Sequence, residues 1–155
     1  MYTSAVPGVI DQLIAVLRAD PGLNGIQVID GPPAEDMSAT EFVAVGWTLT
    51  DSTAAELQQR FNAAGARTRD EDFSIAGWVE SWTGDAEIGP RRRRAFELLG
   101  LVEVALRASD ANPEAPTLNG SALWAQLANA SLQQAFTDQG ARAGIAFTIT
   151  GRSRL

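Results

Sequence analysis

The sequence contains no cysteine and no histidine among its 155 residues. Without cysteine there is no disulfide framework and no thiolate metal site. Without histidine, the usual zinc ligand and the commonest general base are both missing. Carboxylates can still bind hard cations, but no EF-hand or phosphate-loop spacing occurs. We therefore expect neither a cofactor nor a resident metal.

Long apolar runs are missing as well. None reaches the roughly 18 residues that a membrane span requires, and the N-terminus lacks the basic-then-apolar pattern of a signal peptide. Lysine is absent, so all 12 basic residues are arginine, and the formal net charge of −7 argues against tight wrapping of nucleic acid. We expect one domain over residues 1–155 and no membrane partner.

Two stretches have the apolar spacing of amphipathic helices. The stronger signal covers residues 90–108, where Pro90 suits a first helical turn and apolar residues recur at helical intervals. Its polar residues are so few that we expect the helix to be covered on most sides. The second helix covers residues 5–19, with Ser4 as a plausible N-cap and a stop signal at 20–22.

Alternation of apolar and polar residues predicts strands at 26–29, 41–48, 70–83, 120–136 and 141–155. The last strand has the clearest pattern, since Ile145, Phe147 and Ile149 face one way while Thr148 and Thr150 face the other. Glycine at the 138–140 turn favours a hairpin there. The predicted fold class is α/β of the α+β type: a mixed, mainly antiparallel sheet with long hairpins packed against two helices.

Residues 50–69 allow two interpretations. Residues 51–53 followed by Glu56 resemble a helix cap, which would fit a short helix. Alternatively, residues 57–61 form one arm of a hairpin that turns at 63–65 and returns along the strand at 70–83. We favour the hairpin, and we expect this segment, whether hairpin or helix, to protrude from the domain.

Four consecutive arginines, Arg91, Arg92, Arg93 and Arg94, are the most concentrated charge in the chain. Cations at a helix N-terminus oppose the macrodipole, at a cost of a few tenths of a kcal/mol each. The run is either a solvated helix start relieved by nearby acids, or a patch that meets carboxylates of another subunit.

Acidic clusters offer the complementary charge for such a contact. Residues 70–72 form either a solvated strand start or part of an interface, and Trp82 near a strand end is a possible interface anchor, as is Trp124. Glu80 between two tryptophans is a conceivable general acid, but it has no nucleophile or base beside it, so we expect no enzyme. The candidate inter-subunit residues besides the arginines are Asp70, Glu71, Asp72, Asp85, Glu87 and Trp82.

One internal echo links the two halves of the chain. Leu-Arg-Ala at 17–19 is followed by Leu-Asn-Gly at 23–25, and Leu-Arg-Ala at 106–108 is followed by Leu-Asn-Gly at 118–120. Both copies lead from a predicted helix to a predicted strand. The match is too short to establish a duplication.

The order of elements and several short motifs carry a family resemblance. The motifs are Ala-Asp-Pro-Gly-Leu-Asn-Gly at 19–25, Val-Ile-Asp-Gly-Pro-Pro at 28–33, Gly-Ala-Arg-Thr-Arg-Asp-Glu-Asp-Phe at 65–73, and Gly-Ala-Arg-Ala followed by Phe-Thr-Ile between 140 and 149. The chain resembles the tail-terminator and head-to-tail connector (neck) proteins of long-tailed actinobacterial phages, in the broad class of the lambda tail terminator.

The resemblance implies a mixed α/β subunit that assembles into a hexameric ring and has no chemical active site. The implied partners are other copies of the chain, the tail-tube protein and the head connector or adaptor protein, with genome DNA passing through the lumen without specific binding. The implied location is the tail–neck junction of the virion, after assembly in the bacterial host cytoplasm.

Two other functions stay open at this point. A head-completion protein would occupy the next layer of the same neck and bind the portal or adaptor. A small-ligand-binding α/β domain would need a concave pocket, which the four tryptophans are able to line. For the ring, acidic loops at 35–36, 70–72 and 85–87 suggest a negative lumen that repels passing DNA.

Overall fold

The computed structural model describes residues 3–34 and 39–155. The predicted acidic loop at 35–36 lies outside the described residues. Two α-helices and six strands are present in the described part of the chain. In order they are α1 (Val6–Ala19), β1 (Gln27–Asp30), β2 (Glu41–Val45), β3 (Ala55–Phe61), β4 (Arg69–Trp82), α2 (Ile88–Ala105), β5 (Trp124–Thr137) and β6 (Gly140–Arg154).

The six strands form one open sheet in the order β1-β2-β4-β6-β5, with β3 also paired to β4. The β1–β2 pair is parallel and every other pair is antiparallel. The long strand β4 pairs with β6 along one edge. Along its other edge it pairs first with β3, through Ile75, and then with β2, from Gly77 onward. The predicted fold class is therefore confirmed.

Both helices cover the same face of this sheet, called here the helix-covered face. Odd-numbered residues of β4 and β6 point to it because side chains alternate along a strand. Phe73, Ile75 and Val79 from β4 pack there with Ile145, Phe147 and Ile149, as the sequence pattern predicted, against α1 residues Val9, Leu13 and Leu17 and α2 residues Leu98 and Val102. The principal core of the described residues thus lies on one side of the sheet.

The opposite, open face holds a smaller apolar cluster of Phe42, Ala44 and Trp78. The loop at 46–54 runs over this face, where Trp47 meets Trp78 edge-to-face with ring centroids 6.3 Å apart. Farther along, the Gln133 side-chain amide donates to the Thr50 hydroxyl at 3.4 Å. The loop therefore shields one end of the open face from solvent.

The two central strands meet in an approximately two-fold arrangement. Each contains the pattern Phe-Ser/Thr-Ile-x-Gly, at 73–77 in β4 and at 147–151 in β6. The antiparallel register pairs Ile75 with Ile149, and it places each phenylalanine opposite the glycine of the other strand. A Cβ atom on either Gly77 or Gly151 would overlap the facing ring, of Phe147 or Phe73 respectively. Glycine is thus required on both sides by packing.

The favoured hairpin is confirmed, since β3 pairs antiparallel with β4, and the alternative helix does not form there. Other expectations need correction. Helix α1 begins one residue after the predicted start, with Ala5 at the N-cap, although the Ser4 hydroxyl still accepts from the Val6 N–H at 3.0 Å. Helix α2 spans 88–105 rather than 90–108, and it is not covered on most sides. Phe96 and Val104 are about half exposed because the sheet covers one face only.

Candidate assembly interface

The arginine run lies in the first two turns of α2, and most of it is bound within the subunit. Arg91 donates to the hydroxyl of buried Ser81 at 2.8 Å, and Arg92 donates to the side-chain oxygen of Gln134 on β5 at 2.9 Å. These bonds anchor the start of α2 to the sheet.

Arg94 forms ion pairs within the subunit, whereas Arg93 does not. The Arg94 guanidinium contacts Glu41 at 2.6 Å and Glu97 at 2.9 Å, and both hydrogen bonds raise its pKa. Arg93 is exposed and makes no ion pair with any residue that the structure describes. Of the predicted cationic patch, Arg93 therefore remains for a contact with another molecule.

The predicted acidic stretch 70–72 is not a solvated strand start. Glu71 is fully buried, and its carboxylate accepts from the Ala5 N–H at 2.9 Å and from the Gln59 amide at 2.6 Å. Asp70 is 8% exposed and pairs with Arg154 at 2.9 Å. The structure uses both carboxylates inside the subunit: Glu71 fixes β3 and the chain before α1, and Asp70 joins β4 to β6.

Asp72 lies on the open face between two arginines. Arg152 and Arg60 both approach it at 2.7 Å. Hydrogen bonds from Arg152, and then from Arg60, lower the pKa of this carboxyl to about 2. The three residues link β3, β4 and β6 across the sheet, so this predicted interface residue also has an internal role.

Asp85 and Glu87 remain exposed in the turn before α2. Asp85 accepts from the Glu87 N–H at 3.0 Å and from the Thr83 hydroxyl at 2.9 Å, and these bonds lower its pKa, the backbone bond most strongly. The Asp85 carbonyl accepts from the Ala141 N–H at 2.7 Å. The structure thus places this turn beside the β5–β6 turn, at some distance in sequence.

Trp82 lies in a groove of the open face, together with Trp47, Glu80 and Arg142. The Trp78 indole N–H donates to Glu80 at 3.1 Å, and Arg142 lies 3.8 Å away. Burial raises the pKa of Glu80 in spite of these two contacts. Trp124 lies elsewhere, beside Arg152 and Asp72. The four tryptophans therefore do not line one pocket.

The outer strand β5 is a long edge with no protection in its sequence. Its 14 residues include no charged residue, no proline and no glycine. One β-bulge interrupts it between Leu127 and Asn129, and the following stretch to Thr137 pairs regularly with β6. Natural sheets usually guard such edges with charges, prolines or very short strands. Sequence reasoning named only Trp124 of this strand, although the lack of charge was a readable signal.

The backbone of β5 offers free hydrogen-bonding groups. The Ala141 N–H and C=O bond to Asp85 and Thr83, away from β5, so the opposite residue Phe136 also points its backbone groups outward. Because the pattern alternates, the same holds for Gln134, Leu132 and Ala130. Within the described residues, no backbone group bonds to this outer edge.

Strand β3 presents a second open edge on the other side of the sheet. Asn62 bonds to Thr68 and Ala76 bonds to Ala54, so the backbone groups of Leu57, Gln59 and Phe61 point outward by the same alternation. The neighbouring edge strand β1 is better guarded, since it has four residues and Arg18 donates to the Val28 carbonyl at 2.9 Å.

The two open edges carry the same sequence motif. Residues 55–67 and 130–142 share the pattern Ala-x-Leu-Gln-Gln-x-Phe-x-x-x-Gly-Ala-Arg. In both copies the leucine and phenylalanine lie on the helix-covered side of the sheet. Phe73 faces Leu57, whereas its counterpart Phe147 faces Ala130, two residues before Leu132. The shift is even, so the side chains keep the same face.

Comparisons with known proteins add no family. A scan against protein-family models finds no match to the chain, and a search of curated proteins finds no match either. Among the described residues, no helix is long and apolar enough to cross a membrane, and no three metal-ligating side chains converge. The site is thus defined by geometry: an α+β subunit with two matched, unpaired strand edges.

Proposed function

We propose that the protein is a ring-forming tail terminator, a structural virion protein that caps the tail tube and joins the tail to the head connector. The observation that supports this best is the pair of open edges, β3 and β5, on opposite sides of one sheet. A head-to-tail assembly requires two different, complementary surfaces on each subunit, and such an assembly becomes a ring when the rotation between copies closes. The sequence resemblance implies six copies.

The contact chemistry of the edges fits a structural protein that meets its own copies. Phe61 is 68% exposed and Phe136 is 65% exposed, one on each edge. Exposed aromatic residues beside unpaired backbone groups are costly for a subunit that stays alone, because water must be ordered around the rings. This cost is relieved when another strand pairs with the edge and covers the rings.

The direct test is the mass of the protein by light scattering after size exclusion, with negative-stain images at high concentration. We expect rings of about six subunits with a central hole, as the resemblance implies. The ring should bind the ends of tubes assembled from the tail-tube protein of the same phage genome. A protein that neither forms rings nor binds tube ends contradicts the proposal, and binding to the portal or adaptor instead favours a head-completion protein.

A second candidate rests on the groove around Trp82. Glu80 has a raised pKa there, and Arg142 supplies a cation, so the groove has an apolar wall and two polar groups. These features suit a small ligand. A monomer whose tryptophan fluorescence changes with a small molecule, and whose response is lost in Trp82→Ala, would favour this candidate over the ring.

A further inference from the structure

Among the surfaces of the described residues, the unpaired edge of β5 is the strongest candidate for a contact with another strand. The strand is 14 residues long and uncharged, and alternate residues from Ala130 to Phe136 direct backbone N–H and C=O groups outward. An edge of this kind pairs readily with another strand. The absence of charge means that no partner strand is repelled or selected by electrostatics, so the backbone and the apolar side chains decide.

The β3 edge is chemically matched to it. Leu57 and Phe61 project on the helix-covered side at the same spacing as Leu132 and Phe136. The charges of β3 lie on the open face, where Arg60 is already paired with Asp72 at 2.7 Å. A second copy that brought β5 to this edge would therefore join apolar side chains to apolar side chains on the helix-covered side. Glu56, the other charge of β3, lies exposed on the open face, away from this apolar contact.

Strand direction also suits a head-to-tail contact. The pairs β3–β4, β4–β6 and β6–β5 are all antiparallel, so β3 and β5 run in opposite directions across the sheet. When a second copy in the same orientation stands beside the first, its β3 runs opposite to β5 of the first. The contact is then antiparallel, which is the slightly more stable arrangement per residue.

We infer that the outer edge of β5 pairs with the outer edge of β3 of a second copy, so that the sheet continues from subunit to subunit. This inference deepens the proposed function and rests on its head-to-tail geometry. The partner is thus another copy of the chain, and the recognition elements are the two Leu-Gln-Gln-x-Phe motifs.

Proline substitution blocks each edge separately. In Gln134→Pro the β5 edge loses an outward N–H, and in Leu57→Pro the β3 edge loses one. Neither N–H bonds within the subunit, and proline is tolerated on edge strands in this setting. The matched controls are Gln134→Ala and Leu57→Ala, which shorten the same side chains but keep the N–H. Thermal unfolding of all four variants establishes that they are folded.

The head-to-tail contact predicts a specific pattern of masses by light scattering. Gln134→Pro alone and Leu57→Pro alone should each be monomeric, because every contact needs both edges. An equimolar mixture should form a 1:1 dimer, since one variant retains β3 and the other retains β5. The two alanine controls keep the outward N–H and should still assemble, Leu57→Ala more weakly than the unsubstituted chain because it removes an apolar contact side chain.

Other patterns overturn the inference. A dimer of Leu57→Pro alone indicates β5 pairing with β5, and a dimer of Gln134→Pro alone indicates β3 pairing with β3. Assembly that persists in both proline variants places the contact elsewhere. An unsubstituted chain that stays monomeric at about 1 mM shows no self-pairing, because a Kd above this concentration is too weak for specific assembly.

The outcome for the proposed function is separate. If both proline variants still form rings that bind tail tubes, the proposed function is supported and the edge contact is excluded. If the variants show the expected dimer pattern but the chain does not bind tube ends, the edge contact is supported and the proposed function is contradicted.

Discussion

At the scale of single residues, the two glycines of the central strands carry a clear prediction. A methyl group at Gly77 would overlap the Phe147 ring, and one at Gly151 would overlap Phe73. Overpacking of this kind costs about 1–3 kcal/mol. We expect Gly77→Ala and Gly151→Ala each to lower the free energy of unfolding by that amount in urea denaturation.

The control for these variants is Gly100 on α2, which is exposed and has no atom within 4 Å of an added Cβ. Alanine there should stabilise the protein by about 0.5–1 kcal/mol, since glycine is unfavourable inside a helix. Equal effects at Gly77 and Gly100 would contradict the packing argument.

Asp72 gives a pH-dependent prediction at the same scale. Its pKa in the folded protein is about 2, below the ordinary value of 3.8. A carboxyl whose pKa is lower in the folded than in the unfolded protein stabilises the fold at pH values above its unfolded pKa. This stabilisation is lost as the pH falls from about 4 to 2. We expect Asp72→Asn to lose stability at neutral pH and to flatten the pH dependence of unfolding in that window. Asp110→Asn is the control, because Asp110 is exposed and makes no ion pair with any described residue; an equal flattening there would count against the Asp72 assignment.

At the scale of elements, the arginine run separates into structural and free members. Arg94 joins α2 to the first residue of β2 through Glu41, while Arg93 has no such contact among the described residues. We expect Arg94→Glu to lower the free energy of unfolding by about 1 kcal/mol, because it loses the partly buried pair with Glu41 and creates a new like-charge contact.

Arg93→Glu should leave unfolding unchanged within about 0.5 kcal/mol, as is usual for surface substitutions. If the run contacts another subunit, the same variant should weaken assembly measured by light scattering. Unchanged assembly in Arg93→Glu would exclude the run from the interface.

Most elements were predictable from sequence because their patterns were local. The final strand has strict alternation, and the stop signal after α1 lies where the helix ends. The β3 hairpin was ambiguous because residues 55–61 are mostly exposed, so no buried face imposes a two-residue period. The exposure of Phe96 and Val104 was missed because apolar spacing cannot show how many sides of a helix are covered.

The candidate site was harder to predict than the fold. Charged residues were chosen because opposite charges suggest contacts, yet Glu71, Asp70 and Arg94 are bound inside the subunit. Which charges find partners depends on residues far apart in sequence, such as Asp70 and Arg154. The edges could be recognised only once the strand order placed β3 and β5 on the outside.

At the scale of the whole molecule, the proposed contact predicts a weak response to salt. Strand pairing and apolar contact involve no ion pair between copies, whereas a contact through Arg93 would be screened. The screening length falls from about 10 Å at 0.1 M salt to about 3 Å at 1 M. We expect the subunit mass distribution at fixed concentration to change little between these conditions, as measured by sedimentation. Dissociation at high salt would instead indicate an electrostatic interface.

The two-fold arrangement of β4 and β6 has a kinetic consequence. Ile75 and Ile149 face each other although they are 74 residues apart in the chain, so their pairing must await closure of a long loop. The hairpins β3–β4 and β5–β6 are local and can form early. In each hairpin, one hydrogen-bonding edge of the inner strand is then still unpaired. Slow, late joining of the two halves is therefore expected. During synthesis the first half waits, with the β6-facing edge of β4 unpaired, until the last strand has left the ribosome.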